Sequence, residues 1–193
     1  LFEGAMSEPE VFLNGEKVGE WAYGYSYFYF DITKDLEKSG KNTLAVHLNN
    51  MPESSRWYPG AGLYRKVKLI IKNKESIAQW GTFITTPLVT DSLAKVNIKT
   101  KVSGESLKLV VDILDLNGNL ISSEKSSTIF GNEIELNIPL KNPALWSPAT
   151  PNLYQAVSKL YKNETLIDIV ETRFGVREIK YVANIGFSLN GVN

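Results

Sequence analysis

The sequence has no cysteine, which excludes disulfides and thiolate-bound metals and leaves the compartment open. It has a single histidine, His47, in "TLAVHLNN". That side chain falls opposite the apolar Val46 and Leu48 face and has no apparent partner, so a structural or surface role is expected rather than general-base work. No charge of one sign predominates: Lys plus Arg number 21, and so do Asp plus Glu. The balance is also local, with 9 basic and 9 acidic residues up to Lys72, which leaves 12 and 12 for the remainder. No segment carries the basic excess that would draw a phosphate backbone or an anionic membrane, so neither nucleic acid nor membrane is an expected partner. No apolar run approaches the roughly 18 residues of a membrane span. Nucleophile-elbow, glycine-rich phosphate-loop and calcium-loop patterns are missing, and neither a cofactor nor a metal is expected. The opening "LFEGAMSEPE" has neither the basic start nor the apolar core of a signal peptide. It reads like the middle of a domain and suggests a fragment.

What is present is mostly β signal. Asn14-Gly15 sits between two short apolar runs in "EVFLNGEKVGE", the strongest short hairpin signal because a type I′ turn needs positive φ at both central positions. In "YGYSYFYFDI", Phe28, Phe30 and Ile32 alternate with Tyr27, Tyr29 and Asp31, which predicts a strand with a core face and a tyrosine face. "DITKDLEKSGKN" can hold one helical turn between Thr33 and Gly40. Leu44, Val46 and Leu48, then Val67, Leu69 and Ile71, predict two more strands. Further on, Ala94, Val96, Ile98, Thr100 and Val102 alternate with lysines and an asparagine. "LKLVVDILDLNGNLISS" predicts a hairpin around Asn117-Gly118, Ile134, Leu136 and Ile138 share one face, and a last hairpin turns near Asn163-Glu164. About seven short strands at spacings of roughly 8–12 residues or more fit an immunoglobulin-like sandwich. No long amphipathic helix, internal repeat or low-complexity tract is found. Twelve of the 21 aromatics lie in the first 72 residues, so the first region has aromatic surface to spare.

Catalytic carboxylates are harder to find. Glycoside hydrolysis usually needs two of them about 5–9.5 Å apart across the bond. Asp112 and Asp115, like Asp168 and Glu171, have an odd spacing that puts the two acids of each pair on opposite faces of a strand. They are expected to solvate outer faces. Asn163-Glu164-Thr165 matches the glycosylation acceptor pattern but sits in a hairpin turn and carries little weight. The stretch "SSRWYPGAGLYR" has more chemical content. Pro59, Gly60 and Gly62 suit a tight turn that presents the residues before it in a set direction. Arg56 offers a planar fork for hydroxyl or carboxylate acceptors, and Trp57 and Tyr58 offer flat faces on which a sugar ring can lie. An equal alternative has Trp57 and Tyr58 sealing the end of a sandwich, with Arg56 paired to a nearby acid.

The order of motifs adds to this. "FEGAMSEPEVFLNGEKVG", "GYSYFYFDIT", "GKNTLAVHLNN" and "RWYPGAGLYRKVKLI" resemble the later part of the N-terminal sugar-binding domain of glycoside hydrolase family 2, most of all in its bacterial beta-galactosidases. "AQWGTFITTP" resembles the link into that family's immunoglobulin-like domain, and "LWSPATPNLY" and "ETRFGVREI" resemble its end. "GFSLNG" and "GVN" resemble the entry into the catalytic barrel; here they are fused as Asn190-Gly191-Val192-Asn193, where the family normally has several residues between them.

The resemblance implies an all-β chain in which a partial jelly-roll β-sandwich is followed by an immunoglobulin-like β-sandwich. Residues 1–72 would be the C-terminal part of the jelly-roll sugar-binding domain and 73–82 a linker. Residues 83–182 would be the immunoglobulin-like sandwich and 183–193 the start of the barrel. It further implies a parent glycosidase, an exo-acting beta-galactosidase or close relative that retains configuration through two glutamates, neither of which has a match here. Partners would be a carbohydrate substrate and the catalytic barrel of the same polypeptide, and a homo-oligomer is compatible with the sequence. A periplasmic or extracellular location is favoured over a cytoplasmic one. In several relatives an acidic residue on the loop before the "GLYR"-like strand touches the sugar; this chain has Ser55-Arg56 there. Arg56, Trp57 and Tyr58 are accordingly the expected substrate-binding residues. The rival readings are a stand-alone carbohydrate-binding module and a structural sandwich pair without catalysis. An incomplete jelly roll with exposed sheet edges argues against both.

Overall fold

The structure, a computed structural model, describes residues 1–53 and 60–193. The chain is all-β, with no helix among the described residues, and it divides into two compact units, Leu1–Ile71 and Lys72–Asn193.

The first unit is built on a three-stranded antiparallel sheet. Its central strand β1 (Glu10–Leu13) pairs with β2 (Glu16–Glu20) and with β3 (Leu44–His47). The β1–β2 turn is the expected one: Asn14 and Gly15 have φ of 54° and 92°. Here glycine supplies a left-handed conformation that a side chain would strain. Phe2, Ala5, Val11 and Phe28 form a small core, with Val18, Phe30, Val46 and Leu48 packed against it. Phe28 is its centre, stacked on Phe2 with ring centroids 4.8 Å apart and on Trp21 at 5.8 Å.

Two expected strands of this unit are shorter than the sequence suggests. Across "YGYSYFYFDI" the alternation holds, with Phe28 buried and Tyr27 and Tyr29 exposed, but the segment is bridged only at Phe28, to Phe2. Its end is turned instead by Asp31, whose carboxylate accepts the Thr33 N–H at 2.9 Å, a local bond that competes with a sheet ladder. Near Val67, Leu1 and Glu3 exchange backbone bonds with Lys66 and Lys68. The pairing stops there, and Leu69 and Ile71 stand exposed. The expected helical turn after Thr33 is a hydrogen-bonded turn from Ile32 to Asp35 without a helix.

The second unit is a sandwich of seven strands: β4 (Ser76–Val89), β5 (Leu93–Ser103), β6 (Leu107–Leu114), β7 (Leu120–Lys125), β8 (Glu133–Lys141), β9 (Tyr154–Lys162) and β10 (Thr165–Phe174). One sheet has the order β4-β5-β8 and the other β10-β9-β6-β7, all antiparallel. This is an immunoglobulin-like arrangement. Residues 76–82, within the expected linker, form the start of β4. A hairpin of β11 (Ile179–Val182) and β12 (Gly186–Leu189) follows the sandwich.

Period-two patterning made this unit readable. Ala94, Val96, Ile98, Thr100 and Val102 of β5 turn inward, as do Ile134, Leu136, Ile138 and Leu140 of β8. They meet Leu107, Leu109, Val111 and Ile113 of β6 and Tyr154, Ala156 and Leu160 of β9 across a shared core. The β9–β10 turn places Asn163 and Glu164 at φ of 48° and 60°. The Asn117-Gly118 signal gives a wider turn than a two-residue hairpin. Asp115 accepts bonds from Asn117 and Asn119, and Gly118 takes the left-handed position, the pattern of a type I turn with a bulge. In β8, Pro139 presents its carbonyl to the Ser122 hydroxyl at 3.0 Å, away from β5. Its missing N–H therefore also faces away from the ladder.

The four acids expected to solvate outer faces are also hydrogen-bonded. Asp112 accepts from Ser123 at 2.6 Å and from the Lys159 ammonium at 2.7 Å, and Asp115 caps its own turn. Asp168 accepts the Ile77 N–H at 2.9 Å and Lys72 at 3.2 Å, and Glu171 accepts from Gln155 at 2.6 Å. Their partners come from neighbouring strands and turns, which spacing along one strand does not show. Burial alone would raise the Asp112 carboxyl, but the hydrogen bonds from Lys159 and Ser123 outweigh it and hold the group below its ordinary value of 3.8.

Two stability predictions follow from this core. Among the described residues, the covered hydroxyls of Thr82, Thr100 and Ser158 have no hydrogen-bond partner. Thr100→Val keeps the shape and removes an unbonded polar atom, so it should stabilise the chain by about 1 kcal/mol, read as a higher urea midpoint. Asp112 releases its proton more readily folded than unfolded. Its contribution is therefore complete above the ordinary carboxyl value of 3.8 and is lost as pH falls through the lowered folded-state value. The stability gap between the wild type and Asp112→Asn should accordingly narrow as urea titrations are taken below pH 3.8.

Candidate functional site

The expected site residues Arg56, Trp57 and Tyr58 lie outside the described residues. The chain from Gly60 onward is tied to the first unit by hydrogen bonds. Gly62 and Met6 exchange two backbone hydrogen bonds of 3.0 and 3.1 Å, and the Tyr64 hydroxyl donates to the Gly24 carbonyl at 2.9 Å. Arg65 lies over the Tyr64 ring at 5.4 Å, and Tyr25 meets Tyr64 edge-on. Exposed tyrosines 23, 25 and 64 therefore form a contiguous aromatic group.

The first unit also has a cleft of about 420 Å³, lined by Glu8, Glu10, Glu20, Trp21, His47 and Asn49 among others. Trp21 stacks one face on Phe28 and donates its indole N–H to Ser26 at 2.8 Å. It remains 40% exposed. Asn49 donates to Glu8 at 2.8 Å. Glu10 bonds Lys17 and lies 3.1 Å from His47 Nδ1. The β1–β3 register sets Glu10 opposite His47, which gives His47 the partner that its own segment did not reveal. The hydrogen bond from Lys17, and then that from His47, pull the Glu10 carboxyl below the usual range. A glycosidase acid needs the opposite shift, so this cleft offers an aromatic face and acceptors for a polar ring rather than a proton donor. Among the described residues no group of three or more acidic or histidine side chains is placed to hold a metal ion.

A second cleft, of about 510 Å³, lies in the second unit and went unnoticed in the sequence. Its centre is Trp146, from the proline-rich crossover. Trp146 donates its backbone N–H to Val176 at 2.8 Å and accepts Asn190 Nδ2 on its carbonyl at 3.0 Å. The Arg177 guanidinium lies over the indole, 4.6 Å from the ring centroid. Thr86 fixes the Arg177 backbone by donating to its carbonyl at 2.8 Å. "LWSPATP" and "RFGVRE" are 22 or more positions apart, so only the folded chain brings them together. Gly175 is needed for that approach, because a Cβ there would stand 2.7 Å from the Trp146 Cβ.

Residues 76–177 match the family model described as glycosyl hydrolases family 2. The chain is 36% identical to a putative beta-glucuronidase of Formosa agariphila over all of its length, spanning 19% of that protein. It is 34% identical to a beta-galactosidase of Bacteroides ovatus over 98% of its length, spanning 24% of that relative. Its structure is similar to that of a glycosyl hydrolase family 2 member from Bacteroides cellulosilyticus, with a TM-score of 0.88 and 30% identity over 99% of this chain and 26% of that one. The chain thus spans 19% to 26% of these relatives.

Gly175→Ala should force Trp146 off its seat and destabilise the chain by about 1–3 kcal/mol, the usual cost of overpacking. Thermal unfolding followed by tryptophan fluorescence would check it.

Proposed function

Because the chain belongs to glycosyl hydrolases family 2, we propose that it supplies non-catalytic β domains of a larger glycosidase, a beta-galactosidase that removes terminal beta-galactosides with retention of configuration. Residues 1–72 are then the later part of a jelly-roll sugar-binding domain, 83–182 an immunoglobulin-like spacer, and 183–193 the approach to a catalytic barrel. The observation that carries this reading is the family match over residues 76–177. Among the described residues the hydrogen-bonded carboxylates hold turns, ion pairs and neighbouring amides, which is consistent with bond cleavage by glutamates elsewhere in the parent polypeptide. The chain's task is geometric: it sets the loop bearing Arg56, Trp57 and Tyr58 against the substrate. Misplacing such a wall by about 1 Å can cost roughly 100-fold in rate.

One observation favours a second reading, a beta-glucuronidase. Arg56 stands where the resemblance places an acidic residue, and an arginine fork suits a uronate carboxylate better than a hydroxyl. The relative from Formosa agariphila is named for that activity.

Full-length protein incubated with the nitrophenyl beta-galactoside and beta-glucuronide should cleave the galactoside faster, and proton NMR should find the beta anomer first. Arg56→Ala should lower kcat/KM by roughly tenfold, mainly through KM. Faster cleavage of the glucuronide would favour the second reading. Inactivity on both substrates would overturn the glycosidase assignment, and an unchanged Arg56→Ala enzyme would remove Arg56 from the substrate wall.

A further inference from the structure

Arginine is the better partner for a carboxylate, because its planar fork donates two parallel hydrogen bonds. Among the described residues the ion-paired carboxylates go to other cations. Lys17, Lys68, Lys72, Lys99, Lys108, Lys159, Lys162, Lys180 and His47 all contact an acid. Among the described residues Arg65, Arg173 and Arg177 contact none. Two of these three, Arg173 and Arg177, line the cleft around Trp146, and no Asp or Glu lines it.

The cleft is positive, fixed and partly apolar. The Arg177 guanidinium carbon stands 4.6 Å from the Trp146 ring centroid, so the ring supports the cation on one side, and among the described residues Arg177 has no acidic partner. Ile84, Leu153 and Ile179 supply apolar walls. A volume of about 510 Å³ is in the range of small-molecule sites. A neutral sugar brings hydroxyl hydrogens that need acceptors, and this cleft has no carboxylate to accept them. A sugar carrying a carboxylate brings the acceptor that two guanidinium groups lack, together with a C–H face for the apolar walls.

We propose that the cleft formed by Trp146, Arg173 and Arg177 binds a carboxylate-bearing pyranose, a uronate, with the two guanidinium groups holding its carboxylate. The sugar part of this inference rests on the proposed glycosidase function. The carboxylate part rests on the cleft alone.

The test is made on the full-length protein labelled with nitrogen-15, read through its tryptophan indole N–H resonances. The Trp146 signal is assigned by its loss in Trp146→Phe. Sodium glucuronate should move that signal saturably, while galactose at the same concentration leaves it in place. Arg173→Ala and Arg177→Lys should each weaken the apparent affinity by about tenfold, as loss of a charged hydrogen bond does. Added salt should weaken it as well. Arg173 is exposed, and that variant should keep the fold, checked by its unchanged amide spectrum elsewhere. A Trp146 signal that does not move, one that galactose moves equally, or one that still moves undiminished in Arg173→Ala would overturn the proposal. An equal response to sodium acetate would overturn the sugar part. Failure of the aryl galactoside assay on the full-length protein would leave this binding measurable, so the two readings fail separately.

Discussion

The second unit depends on one dry layer. Every second side chain of β5, β6 and β8 points into it, and the facing residues of β9 complete it. Because the side-chain period of a strand is two, this layer also decides what points outward. A slip of one residue in β5 would expose Val96 and Ile98 and bury Lys95 and Lys99, at a cost no surface ion pair could offset. The outward set, including Asp112 with Lys159 and Gln155 with Glu171, is therefore fixed by the inward one.

The layer has two open sides, where the sheets end. On one side Asp168, in β10, takes the backbone N–H of Ile77 from β4 in the opposite sheet, while Asn73 donates to the Ile167 carbonyl at 2.9 Å. Asp168 lies where the β9–β10 register shifts between Leu166 and Asp168, a bulge of the kind that re-aims a side chain. One carboxylate thus fixes the edge of one sheet to the edge of the other. It also gives the acid in this strand a structural task.

The sequence was most legible where the physics is local. Alternation identified β5 and β8 residue by residue, and Asn14-Gly15 and Asn163-Glu164 marked turns because few residues accept their φ. Legibility failed where the deciding partner is remote. His47 found Glu10 through a strand register, Asp168 found Ile77 through a bulge, and Trp146 found Arg177 across a gap of 30 residues. The aromatic run through Phe28 and Phe30 showed the right faces but not its lack of a ladder, because alternation reports burial and not pairing. The family resemblance was read from ordered motifs, several of which turn out to be packing elements: "LWSP" seats the indole and "RFGVRE" supplies the glycine and arginine around it.

On the other open side, Pro139 has no N–H to offer and its carbonyl already holds Ser122. An exposed strand edge is normally a template on which a neighbouring molecule can add a strand of its own and begin a polymer. At this point the edge of β8 has neither the donor nor the free acceptor that such growth requires. A proline and a serine, seventeen positions apart, thereby close this point of the edge to an added strand.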